Sequence, residues 1–210
     1  MRILSIWQAL SEWSPYFTSL LLVLAVSLAA TSPLPTKLIR NYFVAELVGT
    51  VMLEICRHTV SFDSNLYRIL YCLALFPVRL LACIVAIKTS KWISIVMVPY
   101  AAALMWIALL GPISTIDQWI IIVDGVLVTY AGLSLCVIAP FIENKNIYGT
   151  LAILWVLLGL FDFGYVLQPY GKWAELNDSL LPVMVIGAFG WIALKTRWVG
   201  RTTTFQRPVS

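Results

Sequence analysis

The sequence predicts an all-α integral membrane protein, a bundle of seven transmembrane helices preceded by an interfacial helix. Of its 210 residues, 61% are hydrophobic and only 11% are charged, whereas soluble domains carry roughly a quarter charged residues. A membrane-spanning helix needs about 20 apolar residues, so the chain has room for about seven of them with short loops. Prolines and polar turns divide the apolar sequence into segments of about that length.

Residues 1–14 predict an amphipathic helix lying in the membrane interface, because apolar and tryptophan residues recur there at helical spacing. Ser14 and Pro15 then suit the N-cap and first position of a span over 16–31. A cleaved signal peptide is the alternative, since this apolar run ends in small residues. The acidic Glu12 and the weakly basic leader favour a retained helix.

The second predicted span, 42–61, follows a basic, proline-containing loop over 31–41 and differs from the others because one of its faces is polar. At about 100° per residue, its polar side chains fall within an arc of about 120°. Its two glutamates weaken insertion, so the alternative is a helix lying flat at the interface, which leaves six spans. The polar face carries Glu46, Thr50, Glu54, Arg57, His58 and Ser61.

The other spans follow from apolar runs that end at proline, glycine or polar turns. Pro77 and Arg79 are expected to interrupt the third span. The transmembrane bundle as a whole is predicted over 15–198, and a basic cytoplasmic tail over 199–210. The remaining predicted spans cover residues 66–87, 92–110, 118–140, 147–168 and 179–196.

The orientation follows from the distribution of basic residues. When Arg79 is left out of the 14 lysines and arginines, thirteen remain. With seven spans, nine of them fall on the side of the C-terminus and four on the other, which predicts the N-terminus outside and the C-terminus inside. With six spans the division becomes eight to five, with both termini inside. The compactness of the chain suggests a bacterial plasma membrane.

Charged side chains at bilayer depth cost about 2.5–3.5 kcal/mol each, so they are expected to pair or to face water. Arg79 lies near the middle of its span and is expected to turn inward and pair with Glu46, Asp124 or Asp162. Glu54 has basic residues three and four positions later, on its own face. The predicted buried polar cluster comprises Glu46, Glu54, Arg57, His58, Arg79, Asp124 and Asp162.

Small residues share faces with these charges in two of the later spans. Gly159 lies on the face of Asp162, and Gly187 forms a ridge with Trp191 and Lys195, with Gly190 beside it. Small residues at such positions favour close packing of neighbouring helices.

Several classes of function lack the residues that they require. With one histidine, the chain cannot build a multi-histidine metal site or a bis-histidine haem site. The four cysteines form no CxxC pair, and no motif of a known hydrolase or nucleotide-binding enzyme occurs. We therefore expect no catalytic residues, metal or cofactor, and the modest net charge of +4 predicts no nucleic-acid partner.

Three functions remain open. The first is a non-enzymatic sensor, channel-like module or subunit of a larger membrane assembly, whose polar face contacts another chain or its own Arg79. The second is a small-solute or proton-coupled transporter that uses Glu46, Glu54, Asp124 and Asp162. The third is an intramembrane lipid-modifying enzyme that uses His58 with a carboxylate. The expected partners are membrane lipids and either further copies of the chain or other membrane subunits.

Overall fold

The structure, a computed structural model, describes residues 17–60, 64–110, 115–167 and 183–197, apart from four side chains (Arg57, His58, Tyr165 and Leu167). Within these ranges the chain is almost entirely helical and forms no strand, which confirms the all-α prediction. A short 3₁₀ helix, Ala139–Phe141, follows the fifth α-helix. The α-helices are α1 (Phe17–Ala30), α2 (Lys37–Thr59), α3 (Asn65–Thr89), α4 (Lys91–Leu109), α5 (Ile116–Ile138), α6 (Lys145–Leu167) and α7 (183–197).

Four of these helices, α3, α4, α5 and α6, are long and apolar enough to cross a membrane. The described parts of α1 and α7 are apolar but shorter. α2 has sufficient length but also carries the charges of its polar face. The predicted interfacial helix over 1–14 and the basic tail over 199–210 lie outside the described residues.

The predicted start of the second helix was wrong by five residues. α2 begins at Lys37 rather than 42, so Lys37 and Arg40 belong to the helix and not to the preceding loop. The Thr36 side chain accepts a hydrogen bond of 3.2 Å from the Ile39 amide and so caps the first turn. This cap, placed directly after Pro35, sets the boundary.

Pro77 does not interrupt the third helix, contrary to the sequence expectation. α3 continues through Pro77, as α4 does through Pro99. In apolar surroundings a helix that breaks leaves backbone amides and carbonyls unpaired, so transmembrane helices commonly retain an internal proline. Ser64 caps the start of α3 by accepting a hydrogen bond from the Tyr67 amide.

Consecutive helices run in alternating directions. α2 and α3 are antiparallel, α3 and α5 are parallel, and α5 and α6 are antiparallel, as the residue pairs in contact show. The connections after α1, α3 and α5 consequently meet at one end, where Pro35, Lys88 and Asn144 line one depression. Lys195, near the end of α7, lies beside Asn144 in a second depression. We call this the basic end.

The closest packing in the bundle joins α5 to α6, at glycines whose missing side chains let the two backbones touch. A Cβ atom placed on Gly132 would lie 2.7 Å from the Val156 amide nitrogen and 2.9 Å from the Ala152 carbonyl oxygen. A Cβ on Gly159 would lie 2.7 Å from the Gly125 carbonyl oxygen. Small residues permit this approach between membrane helices.

The glycines of α7 do not have this role within the described residues. A Cβ atom on Gly187 or Gly190 would meet no described atom within 4 Å. The Lys195 ammonium lies over the ring of Trp191, 5.3 Å from its centroid. The expectation of close packing through small residues is therefore met at Gly159 of α6 and is not met by α7 in this part of the chain.

Gly132→Ala is expected to destabilise the protein by about 1–3 kcal/mol, because the added methyl group would displace backbone atoms of α6 that cannot move aside. Gly187→Ala is the matched control, since open space surrounds Gly187 among the described residues. Thermal unfolding of the purified variants in one detergent measures the difference. Equal losses in both variants would contradict the close approach of α5 and α6.

Candidate functional site

The described side chains of the polar face of α2 (Glu46, Thr50 and Glu54) are covered by other helices of the same chain. Towards the end of the helix, the Glu54 carboxylate accepts a hydrogen bond from the Ser19 hydroxyl of α1. Thr50, one turn earlier, is buried, and Glu46, two turns earlier, points between the helices. The polar face thus divides into a contact with α1 and a contact with the bundle interior.

An ion pair between α3 and α5 lies at the centre of the bundle. Arg79 Nε donates to Asp124 Oδ1 at 2.7 Å, and Arg79 Nη2 donates to Asp124 Oδ2 at 3.1 Å. The two side chains are 7% and 4% exposed. The sequence left Glu46, Asp124 and Asp162 as possible partners of Arg79. In the structure Arg79 pairs with Asp124 through two hydrogen bonds, which fix the orientation of both side chains.

Asp162 of α6 adjoins this pair. Its carboxyl group lies within hydrogen-bonding reach of the Asp124 carboxyl. The close approach of α5 and α6 brings it there, because a Cβ on Gly125 would lie 3.0 Å from the Asp162 Cβ. Asp162 is partly exposed on the surface of the bundle, whereas Asp124 is buried.

Glu46 reaches the same region from α2. Its carboxyl group lies within hydrogen-bonding reach of the Tyr42 hydroxyl, one turn earlier, and it is attracted by the Arg79 charge. The Tyr42 hydroxyl in turn accepts a hydrogen bond of 2.9 Å from Trp155 Nε1 of α6. The Tyr42 and Trp155 rings meet edge to face with centroids 5.1 Å apart. This chain of contacts links α2 to α6.

Two buried polar atoms at this site have no hydrogen-bond partner among the described residues. One is Nη1 of Arg79, a donor, and the other is Oε2 of Glu46, an acceptor. An unsatisfied buried polar group costs about 1–3 kcal/mol, so such atoms commonly mark a functional site. We refer to Tyr42, Glu46, Arg79, Asp124, Trp155 and Asp162 together as the central cluster.

Comparisons with protein-family models, curated proteins and solved structures gave no match.

The structure brings together four of the seven residues in the predicted cluster: Glu46, Arg79, Asp124 and Asp162. Glu54 lies apart, against α1. The backbone positions of Arg57 and His58 belong to α2, but their side chains fall outside the description. Among the described residues, no three histidine, cysteine, aspartate or glutamate side chains converge on a point where a metal ion could bind.

Tyr42 and Trp155 were both missing from the predicted site. The spacing of Tyr42 and Glu46, four residues apart on one helix, was the available signal. Nothing in the sequence indicated that the Tyr42 hydroxyl would meet an indole 113 residues later. These two side chains add hydrogen-bonding capacity without adding charge.

A second ion pair between α3 and α5 provides a comparison. Arg68 contacts Asp117 at 2.7 Å and 3.0 Å, with the same two-point geometry, but the side chains are 29% and 48% exposed. Exposed pairs contribute about 0–1 kcal/mol. The breaking of a buried pair costs about 3–5 kcal/mol, because one charge is left without compensation.

Arg79→Gln is expected to destabilise the protein by about 3–5 kcal/mol, because the described carboxyl groups at the centre then have no cation near them. Arg68→Gln removes an ion pair of the same geometry that lies near the surface, and it should lower the free energy of unfolding by at most about 1 kcal/mol. Chemical unfolding in detergent, followed by tryptophan fluorescence, measures both. A loss of similar size in the two variants would show that burial of the Arg79 pair has no energetic consequence.

Proposed function

We propose that this chain is a non-enzymatic, multi-pass membrane protein of seven spans, a sensor or channel-like module whose working site is the central cluster. The observation that carries the proposal is the arrangement of Glu46, Asp124 and Asp162, on three different helices, around Arg79, the one cation that the described residues place beside them. Such a site lies in the interior of the bundle. Ionisable groups inside membrane segments generally mark ion, proton or substrate sites.

Membrane insertion with seven spans is supported by the alternating directions of the helices. α2 packs along α3, where a Cβ on Gly49 would lie 2.8 Å from the Ala74 carbonyl oxygen. The same helix directs Glu46 at the centre of the bundle. A helix packed in this way crosses with its neighbours rather than lying flat on the membrane surface.

The proposed orientation places the basic end inside the cell. Several lysines of the described residues gather there, at the ends of α3 and α7 and at the starts of α2, α4 and α6. Positive residues are retained on the cytoplasmic side. On this basis we propose an inside C-terminus, an outside N-terminus and residence in a bacterial plasma membrane.

Membrane lipids are the proposed surroundings of α4. This helix buries only Ser94 and Ala108 and exposes large apolar side chains along its length, among them Val96 and Trp106. Further copies of the chain or other membrane subunits are the proposed protein partners. The lipid-modifying enzyme stays a prediction, because it depends on the side chain of His58.

Reporter fusions at the two termini are expected to lie on opposite sides of the membrane, because a chain that crosses the membrane seven times begins on one side and ends on the other. The measurement is the activity of a reporter that works only in the cytoplasm, fused in turn to Met1 and to Ser210. Activity is expected at the C-terminus alone. Two active fusions would exclude seven spans and support the six-span arrangement.

A proton-coupled transporter is the second candidate, favoured by the partly exposed carboxyl of Asp162 beside the buried Asp124. In vesicles containing a pH-sensitive dye, such a transporter moves protons, and Glu46→Gln should abolish the flux. Glu143→Gln, in the exposed loop at the basic end, is the control and should retain it. Vesicles with wild-type protein that move no protons in response to a gradient would exclude this candidate and leave the sensor.

A further inference from the structure

The contact between the Asp124 and Asp162 carboxyl groups requires a proton. An ionised carboxylate can only accept hydrogen bonds, so two of them within hydrogen-bonding reach repel each other. A carboxylic acid next to a carboxylate donates its proton to it, and the repulsion is replaced by a hydrogen bond. Buried carboxyl pairs therefore share a proton.

Asp162 is the member of the pair that holds the proton. Both oxygens of Asp124 already accept hydrogen bonds from Arg79, through Nε and Nη2. An acceptor engaged twice by a guanidinium remains ionised, because a guanidinium does not lose its own proton. Asp162 has no such cation of its own among the described contacts.

We propose that Asp162 is a reversible proton-binding site, in which its protonated carboxyl donates a hydrogen bond to the Arg79-bound carboxylate of Asp124. The ligand is a single proton, and the inference rests on the proposed function because it names what the central cluster binds. Asp162 is partly exposed at the edge of the bundle, and the proposed exchange of its proton with water takes place there. Asp124 and Arg79 remain buried behind it.

The groups around the pair are consistent with one ionised carboxylate. α2 contributes Tyr42 and Glu46, and α6 contributes the neutral indole of Trp155. The part of α4 near this region contributes apolar side chains, which pack against Ile122, Val126 and Phe163. α3 contributes Tyr71, Arg79 and Cys83, of which Arg79 alone is a cation.

Release of the proton leaves two carboxylates and one guanidinium. Arg79 can receive the additional negative charge, because its buried Nη1 still has no partner among the described residues. The backbones of α5 and α6 cannot separate freely, since they touch at Gly125 and Gly159. The side chain of Asp162 therefore has to turn, either towards Arg79 or towards the bundle edge. Loss of the proton thus changes the position of the Asp162 side chain at the contact between α5 and α6, while the two backbones stay in place.

Infrared difference spectroscopy tests the proposal on the full chain, reconstituted in vesicles of phosphatidylcholine and phosphatidylglycerol. At neutral pH the wild type is expected to show the C=O stretching band of a protonated carboxylic acid, which shifts in deuterated water and disappears at alkaline pH. In a Glu46→Gln background, which removes the other carboxyl group of the central cluster outside the pair, the variant Asp162→Asn should lack this band. Asp117→Asn, at the exposed pair on α5, is the control and should retain it.

Asp162→Asn is expected to fold, because its amide N–H can donate to Asp124 as the protonated carboxyl does. Stability supplies a second readout. The wild type should lose stability as the pH rises, because a proton bound in the folded state is released. The Asn variant should lack this part of the pH dependence, with Asp117→Asn again as the control.

Three results would overturn the proposal: no protonated-carboxyl band in the wild type, a band that persists when Asp162→Asn is combined with Glu46→Gln, or a band removed at constant pH by addition of sodium ions. The last result would identify a metal cation as the ligand. These outcomes are independent of the reporter fusions. A seven-span protein without the band refutes the proton site alone, whereas termini on one side of the membrane refute the proposed architecture.

Discussion

A guanidinium keeps its positive charge in any protein environment, and this constraint organises the interior of the bundle around Arg79. In apolar surroundings the charge needs an anion with matching geometry, and Asp124 supplies it through two hydrogen bonds. The pair fixes α3 against α5. Glu46 and Asp162 then bring α2 and α6 to the same point, so four helices converge on one cation. The positions of the acids on their helices determine which helices can be neighbours.

The close approach of α5 and α6 makes this convergence possible. Gly125 and Gly159 permit backbone contact, and without it Asp162 could not lie beside Asp124. The bond from Trp155 to Tyr42 has a similar effect on the opposite side, because it sets the position of the helix that carries Glu46. Packing residues without charge thus decide how the charged residues meet. The site depends as much on glycine and tryptophan as on the acids.

Composition and periodicity were sufficient to predict the helical class, the approximate bounds of most of the described helices and the inward position of Arg79. They could not select Asp124 from three acids, because helical period identifies the face of a residue but not the helix opposite it. The start of α2 and the continuity of α3 at Pro77 depended on a cap and on apolar surroundings. The contact of Tyr42 with Trp155 joins distant parts of the chain, and the sequence around either residue does not indicate a contact between them.

α4 is less buried in the bundle than the neighbouring helices. It buries two side chains, and one of its few polar links is the hydrogen bond from the Tyr130 hydroxyl to the Ser94 carbonyl. In the proposed membrane the outer surface of α4 has to be soluble in hydrocarbon but does not have to match the shape of a neighbouring helix. Over evolutionary time such a surface can exchange leucine, isoleucine, valine and phenylalanine freely. Sequence drift should therefore accumulate on α4, while the glycines between α5 and α6 resist it.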